Sequence, residues 1–237
     1  MVILSQTFDV TTFFLNLIGV TELDRYELGE APRGICFVIN NFNFLGDQER
    51  QGAKVDEEKI THLFDELHFK VEVRRNLDSL EIQKETQEMA ARDHSKYGAF
   101  VFCIMSHGDE KDVIYGVDNR KVAVEDLMSE FKSTNCKSLE NKPKLFFIQA
   151  CRGKRSDPRM SRLSASTENI AEDGMQTMDS PDADVANGIS AREADFLLAF
   201  ATVPGYKAWR SKIVGSWFIH VCILCVCVDG RVGGRTH

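Results

Sequence analysis

The chain has 237 residues, of which 43% are hydrophobic and 27% are charged, a composition typical of a folded globular protein. Its 36 acidic residues outnumber its 29 basic ones, and the net charge of -7 argues against a general nucleic-acid or anionic-membrane binder. Seven thinly spread cysteines argue against a disulfide-stapled secreted scaffold and favour reduced thiols in a cytoplasmic protein.

Two apolar stretches raise the question of targeting or membrane insertion. Residues 1–20 lack a basic start and are interrupted by Asp9, which argues against a signal peptide and favours a short amphipathic helix. Residues 213–228 carry no full charge but fall just short of the length that crosses a bilayer. A buried core segment is the favoured interpretation there, and a tail anchor is the alternative.

From Gly34 onward, predicted strands alternate with predicted helices. Continuous apolar or β-rich runs predict strands over Gly34–Asn40, Lys70–Arg75, Ala99–Ser106 and Lys144–Ala150. Helical periodicity and start signals predict helices over Asp56–Phe69, Ser79–Arg92 and Val124–Lys132, and turn residues predict a hairpin over Val113–Val124. This alternation predicts an α/β fold, with a mostly parallel central sheet that carries helices on both faces. The partly polar strand Lys70–Arg75 is expected near a sheet edge.

The composition changes abruptly between Lys154 and Ile189. This stretch is rich in Ser, Asp, Glu, Asn and Gly, and its first part is basic whereas its second part is acidic. Such a segment buries too little apolar surface to offset its ordering entropy, which predicts a disordered linker or functional loop. The apolar run Asp195–Ala201 then resumes the pattern of a buried strand, so one sheet is expected to straddle the linker.

Two reactive residues follow the two most hydrophobic predicted strands. His107 and Cys151 each come directly after such a strand, and Gly108 and Gly153 lie close behind them. If the strands are neighbours, the two side chains meet at the carboxyl-terminal edge of the sheet, where ligands of open α/β sheets bind. A thiol beside an imidazole is the nucleophile and base of cysteine hydrolases, and the glycines allow close backbone approach around an oxyanion. The alternative is a buried structural cysteine and a structural histidine.

These residues carry a resemblance to a known family. The segment Gln149-Ala150-Cys151-Arg152-Gly153 resembles the nucleophile signature of caspases, and Met105-Ser106-His107-Gly108 resembles their histidine motif. Further matching stretches are Ile39-Asn40-Asn41, Arg50-Gln51-Gly52 and Gly215-Ser216-Trp217, so that the similarity runs from about Gly34 to Phe218. The resemblance implies a three-layer caspase-like fold. It divides the chain into an N-terminal extension (1–33), a large-subunit region (34–153), an intersubunit linker (154–191), the start of a small-subunit region (192–219) and a divergent tail (220–237).

The resemblance also implies roles for individual residues. Caspases are cysteine proteases that cut after aspartate, so Cys151 would be the nucleophile and His107 the general base and acid. The backbone N–H groups of Cys151 and Gly108 would form the oxyanion hole. The pocket for the substrate aspartate would consist of Arg50, Gln149 and Arg210. Planar guanidinium groups suit a carboxylate, which agrees with that assignment. No metal or other cofactor is expected.

A second subsite follows from the same resemblance. Trp209 would line it as an apolar wall. Lys207 stands where family members often have an aromatic residue, so the second subsite departs here from the family pattern.

The linker contains candidate processing sites. Family members are zymogens that are cut after aspartate between the large and small subunits. Asp173, which is followed by Gly174, is the favoured site, and Asp179 and Asp184 are weaker ones. The alternative is an acidic spacer that is never cut.

The tail from His220 departs from the family pattern. It shows no amphipathic helix period and no final strand, so a homodimer or a heterodimer with other caspases is expected to be weakened. The first functional hypothesis is an endopeptidase that acts on protein substrates with Asp at the cleavage site, in apoptosis or a related proteolytic cascade. The second is a truncated, catalytically impaired regulator or decoy that binds other caspases. Neither hypothesis includes a nucleic-acid or membrane partner.

Overall fold

The computed structural model describes residues 26, 28–46, 49–156 and 195–222. In chain order the elements are β1 (Gly34–Asn40), α1 (Ala53–Glu66), β2 (Lys70–Arg75), α2 (Ser79–Ala90), β3 (Ala99–Met105), β4 (Gly108–Asp109), β5 (Val113–Tyr115), β6 (Lys121–Ala123), α3 (Val124–Ser129), β7 (Lys144–Gln149), β8 (Phe196–Phe200), β9 (Arg210–Ser211) and β10 (Gly215–Ser216). Residues 137–139 form one turn of 3-10 helix, and residues 217–222 are helical.

The central sheet has five parallel strands in the order β2-β1-β3-β7-β8. Every residue of β1 and of β3 is buried, as expected for strands covered on both faces. The partly polar β2 lies at one edge, which confirms the prediction from its sequence. Strand β8 pairs with β7 across the linker, so the prediction that one sheet straddles the linker is confirmed.

Two apolar clusters lie on the two faces of this sheet, because successive side chains of a strand point to opposite sides. On one face Phe37 and Phe102 pack in a cluster with Ile82 of α2 and Leu127 of α3. On the other face the side chains of Cys36, Val38 and Val101 pack with residues of α1 (Ile60, Leu63 and Phe64) and with Ile219. The three-layer α/β architecture predicted from the sequence is therefore confirmed.

The hairpin and the second helix also agree with their sequence signals. Strands β5 and β6 pair antiparallel, and β4 joins them as a third strand. At the start of α2, Asp78 Oδ1 accepts hydrogen bonds from the N–H groups of Leu80 (2.9 Å) and Glu81 (2.8 Å). The Glu81 carboxylate accepts in return from the Asp78 N–H at 2.9 Å, which completes a capping box worth about 1 kcal/mol.

Three features differ from the sequence predictions. Helix α1 begins at Ala53 instead of Asp56, after Gly52 in the left-handed region with φ 83°. In β8 the side chains of Leu197 and Leu198 are 51% and 40% exposed, because β8 is the edge strand among the described residues and not a buried one. A helix covers residues 217–222, whereas no helical period was recognised from His220 onward.

Within the stretch 213–228, the described residues 213–222 lie only partly in the core. Ile213 and Val214 are 66% and 57% exposed, whereas Ile219 is fully buried. Among the described residues, no helix has both the length and the apolar character needed to cross a membrane. The predicted helix within residues 1–20, most of the linker with its candidate cleavage sites, and residues 223–237 lie outside the described residues.

Candidate active site

The carboxyl ends of β3 and β7 place His107 and Cys151 at the same edge of the sheet. Met105 lies opposite Gln149 in the parallel ladder, and the N–H of Ser106 donates to the Gln149 carbonyl at 3.1 Å. His107 and Cys151 each follow two residues after this pair. The expected neighbourhood of the two strands is thereby confirmed.

A cavity of about 750 Å³ opens at this edge. Its lining includes the predicted site residues His107, Gly108, Gln149, Cys151, Trp209 and Arg210, together with Gly153 and Lys207. These residues come from both sides of the linker, so the segments before and after it build the cavity together. Of the three residues predicted to form the aspartate pocket, Arg50 does not line this cavity. Its neighbours Glu49 and Gln51 do line it.

Cys151 is half-buried and faces both a hydrogen-bond donor and positive charge. The N–H of Ala208 lies 3.4 Å from Cys151 Sγ and donates to it. The guanidinium groups of Arg50 and Arg210 both interact electrostatically with Cys151. The thiolate is the nucleophilic form of cysteine, and an N–H donor and cationic groups are the neighbours that compensate its charge.

The ring of His107 is held against Phe44, with 4.5 Å between the ring centroids and a tilt of 53°. Phe44 itself is 6% exposed, so it presents a fixed apolar wall to the imidazole. The His107 carbonyl accepts a hydrogen bond from the N–H of Tyr115 at 3.0 Å, which anchors the backbone to β5. Sequence reasoning missed Phe44, because a lone phenylalanine in a loop carries no signal of a contact with a histidine.

Gly108 occupies a position where only glycine fits. A Cβ built on Gly108 would lie 2.8 Å from Ala150 Cβ and 2.9 Å from the Val113 carbonyl oxygen, and closer still to the Cys151 carbonyl oxygen. Gly153 has φ 147°, and a Cβ there would lie 2.5 Å from the backbone of Gly205. Both glycines therefore allow the close backbone approach that the sequence predicted around the site.

Arg50 and Gln149 bring buried polar groups without partners to the same region. Arg50 is 1% exposed, and its Nη1 donates to the Asn41 carbonyl at 2.8 Å. Its Nε and Nη2, and the Oε1 of Gln149, have no hydrogen-bond partner among the described residues. Buried donors that lack an acceptor cost free energy, which a bound carboxylate would recover for Arg50.

Burial, followed by the charge of Arg210, lowers the pKa of Arg50 to about 9. Burial likewise lowers the pKa of Arg210, although its Nε donates to the Gln51 carbonyl at 2.8 Å. Two guanidinium groups thus lie close enough to repel each other in a partly desolvated place. An anion between them would relieve this repulsion.

Asp56 is a residue of this site that sequence reasoning missed. It is fully buried, and its Oδ1 accepts from the N–H of Ser216 at 2.6 Å. Burial raises its pKa, while the Ser216 hydrogen bond and the charges of Arg50 and Arg210 act in the opposite direction. In the sequence Asp56 was only an acidic residue in the first turn of a helix. When its carboxyl is ionised, Asp56 balances one of the two guanidinium charges and leaves one for a ligand.

The remaining predicted residues fall into two groups. Trp209 is half-buried on the cavity wall, and its carbonyl accepts from the N–H of Trp217 at 3.3 Å. The candidate processing sites Asp173, Asp179 and Asp184 lie outside the described residues.

Comparison with protein families gives a match to the family described as "Caspase domain" over residues 33–228. Caspase-3 of Mesocricetus auratus is 39% identical over 204 residues, which cover 85% of this chain and 68% of that protein. Human caspase-9 is 35% identical over 227 residues (86% of this chain and 53% of that protein). Human caspase-10 is 36% identical over 195 residues, and the match spans only 35% of its length. This chain therefore aligns with about a third to two thirds of each of these relatives.

A solved structure is also similar. The crystal structure of caspase-1 from Spodoptera frugiperda superposes with a TM-score of 0.67 at 32% sequence identity. The match covers 85% of this chain and 75% of that one. The comparison of structures therefore identifies the same family as the comparison of sequences.

Proposed function

This chain belongs to the caspase family, and from that premise we propose that it is a cysteine endopeptidase that hydrolyses peptide bonds after aspartate. The observation that carries this proposal is the cluster of Arg50, Arg210 and Gln149 beside Cys151. Among the described residues, Asp56 is the buried carboxylate whose charge acts on both guanidinium groups, so one positive charge is left at the cavity, which suits one carboxylate of a substrate.

In the proposed reaction the Cys151 thiolate attacks the carbonyl carbon of the substrate aspartate, and a C–S bond forms. The carbonyl oxygen takes the negative charge, and the N–H groups of Cys151 and Gly108 stabilise it. His107 gives a proton to the leaving amine as the C–N bond breaks. A water molecule, deprotonated by His107, then hydrolyses the thioester and releases the acid and the free thiol.

The pocket supplies the proposed selectivity. A neutral amide in place of the aspartate carboxylate would leave the buried guanidinium groups unpaired, and sites that lose such a partner reject the analogue strongly. The rejection comes from the desolvation already imposed on Arg50 and Arg210. Asp56 interacts electrostatically with both guanidinium groups without neutralising them fully.

Activation and assembly form the second part of the proposal. We infer that the protein is a cytoplasmic zymogen that is processed in the linker, first at Asp173, with Asp179 and Asp184 as further sites. It would act in apoptosis or a related proteolytic cascade. The exposed Leu197 and Leu198 at the edge strand β8 support a homodimer or a heterodimer with other caspases.

A fluorogenic peptide that ends in aspartate tests the proposed activity. We expect the purified protein to release the fluorophore and the Cys151→Ala variant to release none. The matched peptide that ends in asparagine should be at least about 100-fold poorer in kcat/KM, because it lacks the carboxylate. Equal rates for the protein and the Cys151→Ala variant, or for the two peptides, would overturn the proposal.

A further inference from the structure

Lys207 lies on the wall of the active-site cavity and is half-buried. Its N–H donates to the Arg155 carbonyl at 2.8 Å, which holds the backbone to the segment that follows β7. The next residue, Ala208, donates its N–H to Cys151 Sγ at 3.4 Å. The backbone of Lys207 is therefore held in place, and its neighbour in the sequence contacts the proposed nucleophile directly.

The ammonium group of Lys207 forms no ion pair with a carboxylate of the described residues. Two acidic residues also line the cavity. Asp109 is already occupied, since its carboxylate pairs with Lys121 at 3.2 Å and accepts from the Tyr115 hydroxyl at 3.1 Å. Glu49, the other one, is exposed to solvent. The cavity thus keeps a cation at Lys207 that its own carboxylates leave available.

Other basic groups at the cavity add to its positive charge. Lys154, Arg210 and Lys212 line it together with Lys207. Arg210 belongs to the proposed aspartate pocket, and Lys212 is exposed. Positive charge around a cleft attracts acidic ligands, and a half-buried member of the group is screened less than an exposed one.

We propose that Lys207 is a specificity-determining residue that selects an acidic side chain at the substrate position immediately before the scissile aspartate. The inference rests on the proposed function, since it requires the aspartate to occupy the pocket beside Cys151. The substrate residue bonded to that aspartate lies one Cα step, about 3.8 Å, further along the cleft. The flexible stem of Lys207 starts next to the Cys151 contact, and its length would let the ammonium reach that residue.

The chemistry of lysine defines the preference. A lysine ammonium is a compact charge on a flexible stem, so it accepts either aspartate or glutamate without demanding one geometry. The interaction energy of a half-buried ion pair lies between that of an exposed pair and that of a fully buried pair. We therefore expect a gain of about three- to tenfold in kcat/KM. Because solvent reaches the pair, the preference is expected to fall as the salt concentration rises.

Matched peptides test this inference. Four fluorogenic peptides that end in aspartate differ only in the preceding residue, which is Glu, Gln, Asp or Asn, so each acid is compared with its isosteric amide. We expect the protein to show about three- to tenfold higher kcat/KM for the acids. The preference should disappear in Lys207→Gln and persist in Lys207→Arg. It should also persist in Lys84→Gln, an exposed site on α2 that changes the net charge equally.

Three outcomes would contradict the inference in distinguishable ways. Cleavage after aspartate with equal kcat/KM for acid and amide peptides would overturn the role of Lys207 and leave the proposed function standing. The same holds if Lys84→Gln abolishes the preference as fully as Lys207→Gln does. Absence of cleavage of all four peptides would overturn both the proposed function and the inference that depends on it.

Discussion

Replacement of Gly108 by alanine is predicted to disable the active site while the domain stays folded. The new Cβ would lie 2.8 Å from Ala150 Cβ and 2.9 Å from the Val113 carbonyl oxygen. Ordinary contacts between such atoms are about 3.5 Å or longer, so the ends of β3 and β7 must move apart by about 1 Å. The oxygen of Val113 belongs to the β4–β5 pairing and Ala150 follows β7 directly, so neither neighbour yields easily.

The expected magnitude follows from this displacement. A shift of about 1 Å between reacting groups costs about 100-fold in rate, and overpacking of this kind costs about 1–3 kcal/mol of stability. We therefore expect Gly108→Ala to lower kcat/KM for an aspartyl peptide by about 100-fold while a cooperative unfolding transition remains. The assays are steady-state hydrolysis and denaturant unfolding of the same preparation.

Gly29→Ala is the matched control for Gly108→Ala. Gly29 has φ 71°, and a Cβ there would meet nothing within 4 Å. Its replacement should cost about 1 kcal/mol of backbone strain and leave kcat/KM unchanged. Wild-type kcat/KM in Gly108→Ala, or an equal loss of kcat/KM in Gly29→Ala, would refute the argument from close packing.

Three further predictions concern charged and titratable groups. Arg210→Gln should lower kcat/KM for aspartyl peptides by about 100-fold and narrow the difference between aspartyl and asparaginyl peptides; an undiminished difference in kcat/KM between the peptides would contradict the pocket. Asp56→Ala should lower the free energy of unfolding by about 1–3 kcal/mol, because the buried N–H of Ser216 loses its acceptor; urea unfolding with no loss would contradict that role. Burial lowers the pKa of His94, whose Nε2 lies 2.9 Å from the Met89 carbonyl oxygen, so the unfolded chain binds the proton more tightly than the folded one. Stability contributed by neutral His94 is therefore present above about pH 6.5 and is lost as the pH falls through the lowered pKa, by up to about 1.4 kcal/mol per pH unit. His94→Gln should flatten this part of the stability profile, and an unchanged slope in urea titrations between pH 7 and 5.5 would contradict it.

The pair His107 and Cys151 could be predicted because its position depends on a pattern visible in the sequence. Continuous apolar runs mark strands that are covered on both faces, and parallel strands end at the same edge of the sheet. The glycines at 108 and 153 belonged to the same local pattern. In the structure the backbone approaches both glycines so closely that a Cβ would not fit, as the sequence predicted.

Asp56 could not be predicted in the same way. An acid in the first turn of a helix is ordinarily explained by the helix dipole, and that explanation places it at the surface. Its burial depends on the Gly215-Ser216 segment, which is far away in the sequence. Gly215 has φ 79°, and any Cβ there would collide with Asp56 Oδ1. Only the folded chain reveals this contact.

The apolar run of β8 shows a second limit of sequence patterns. Phe196–Phe200 has the composition of a buried strand, yet Leu197 and Leu198 are exposed at the edge of the described sheet. A continuous run of apolar residues indicates that other elements must pack against a strand, but it does not identify those elements. The same pattern therefore fits both an interior strand and an edge strand with exposed apolar side chains.

Covalent labelling tests the central claim most directly. A peptide with a fluoromethyl ketone on a terminal aspartate should alkylate the thiol of Cys151, and its asparaginyl counterpart should not. Intact mass would give the number of adducts and peptide mapping their position. We predict one adduct, on Cys151, that is lost in Cys151→Ala and forms much more slowly in Arg210→Gln. Equal labelling by the two probes, or labelling of another cysteine in place of Cys151, would contradict it.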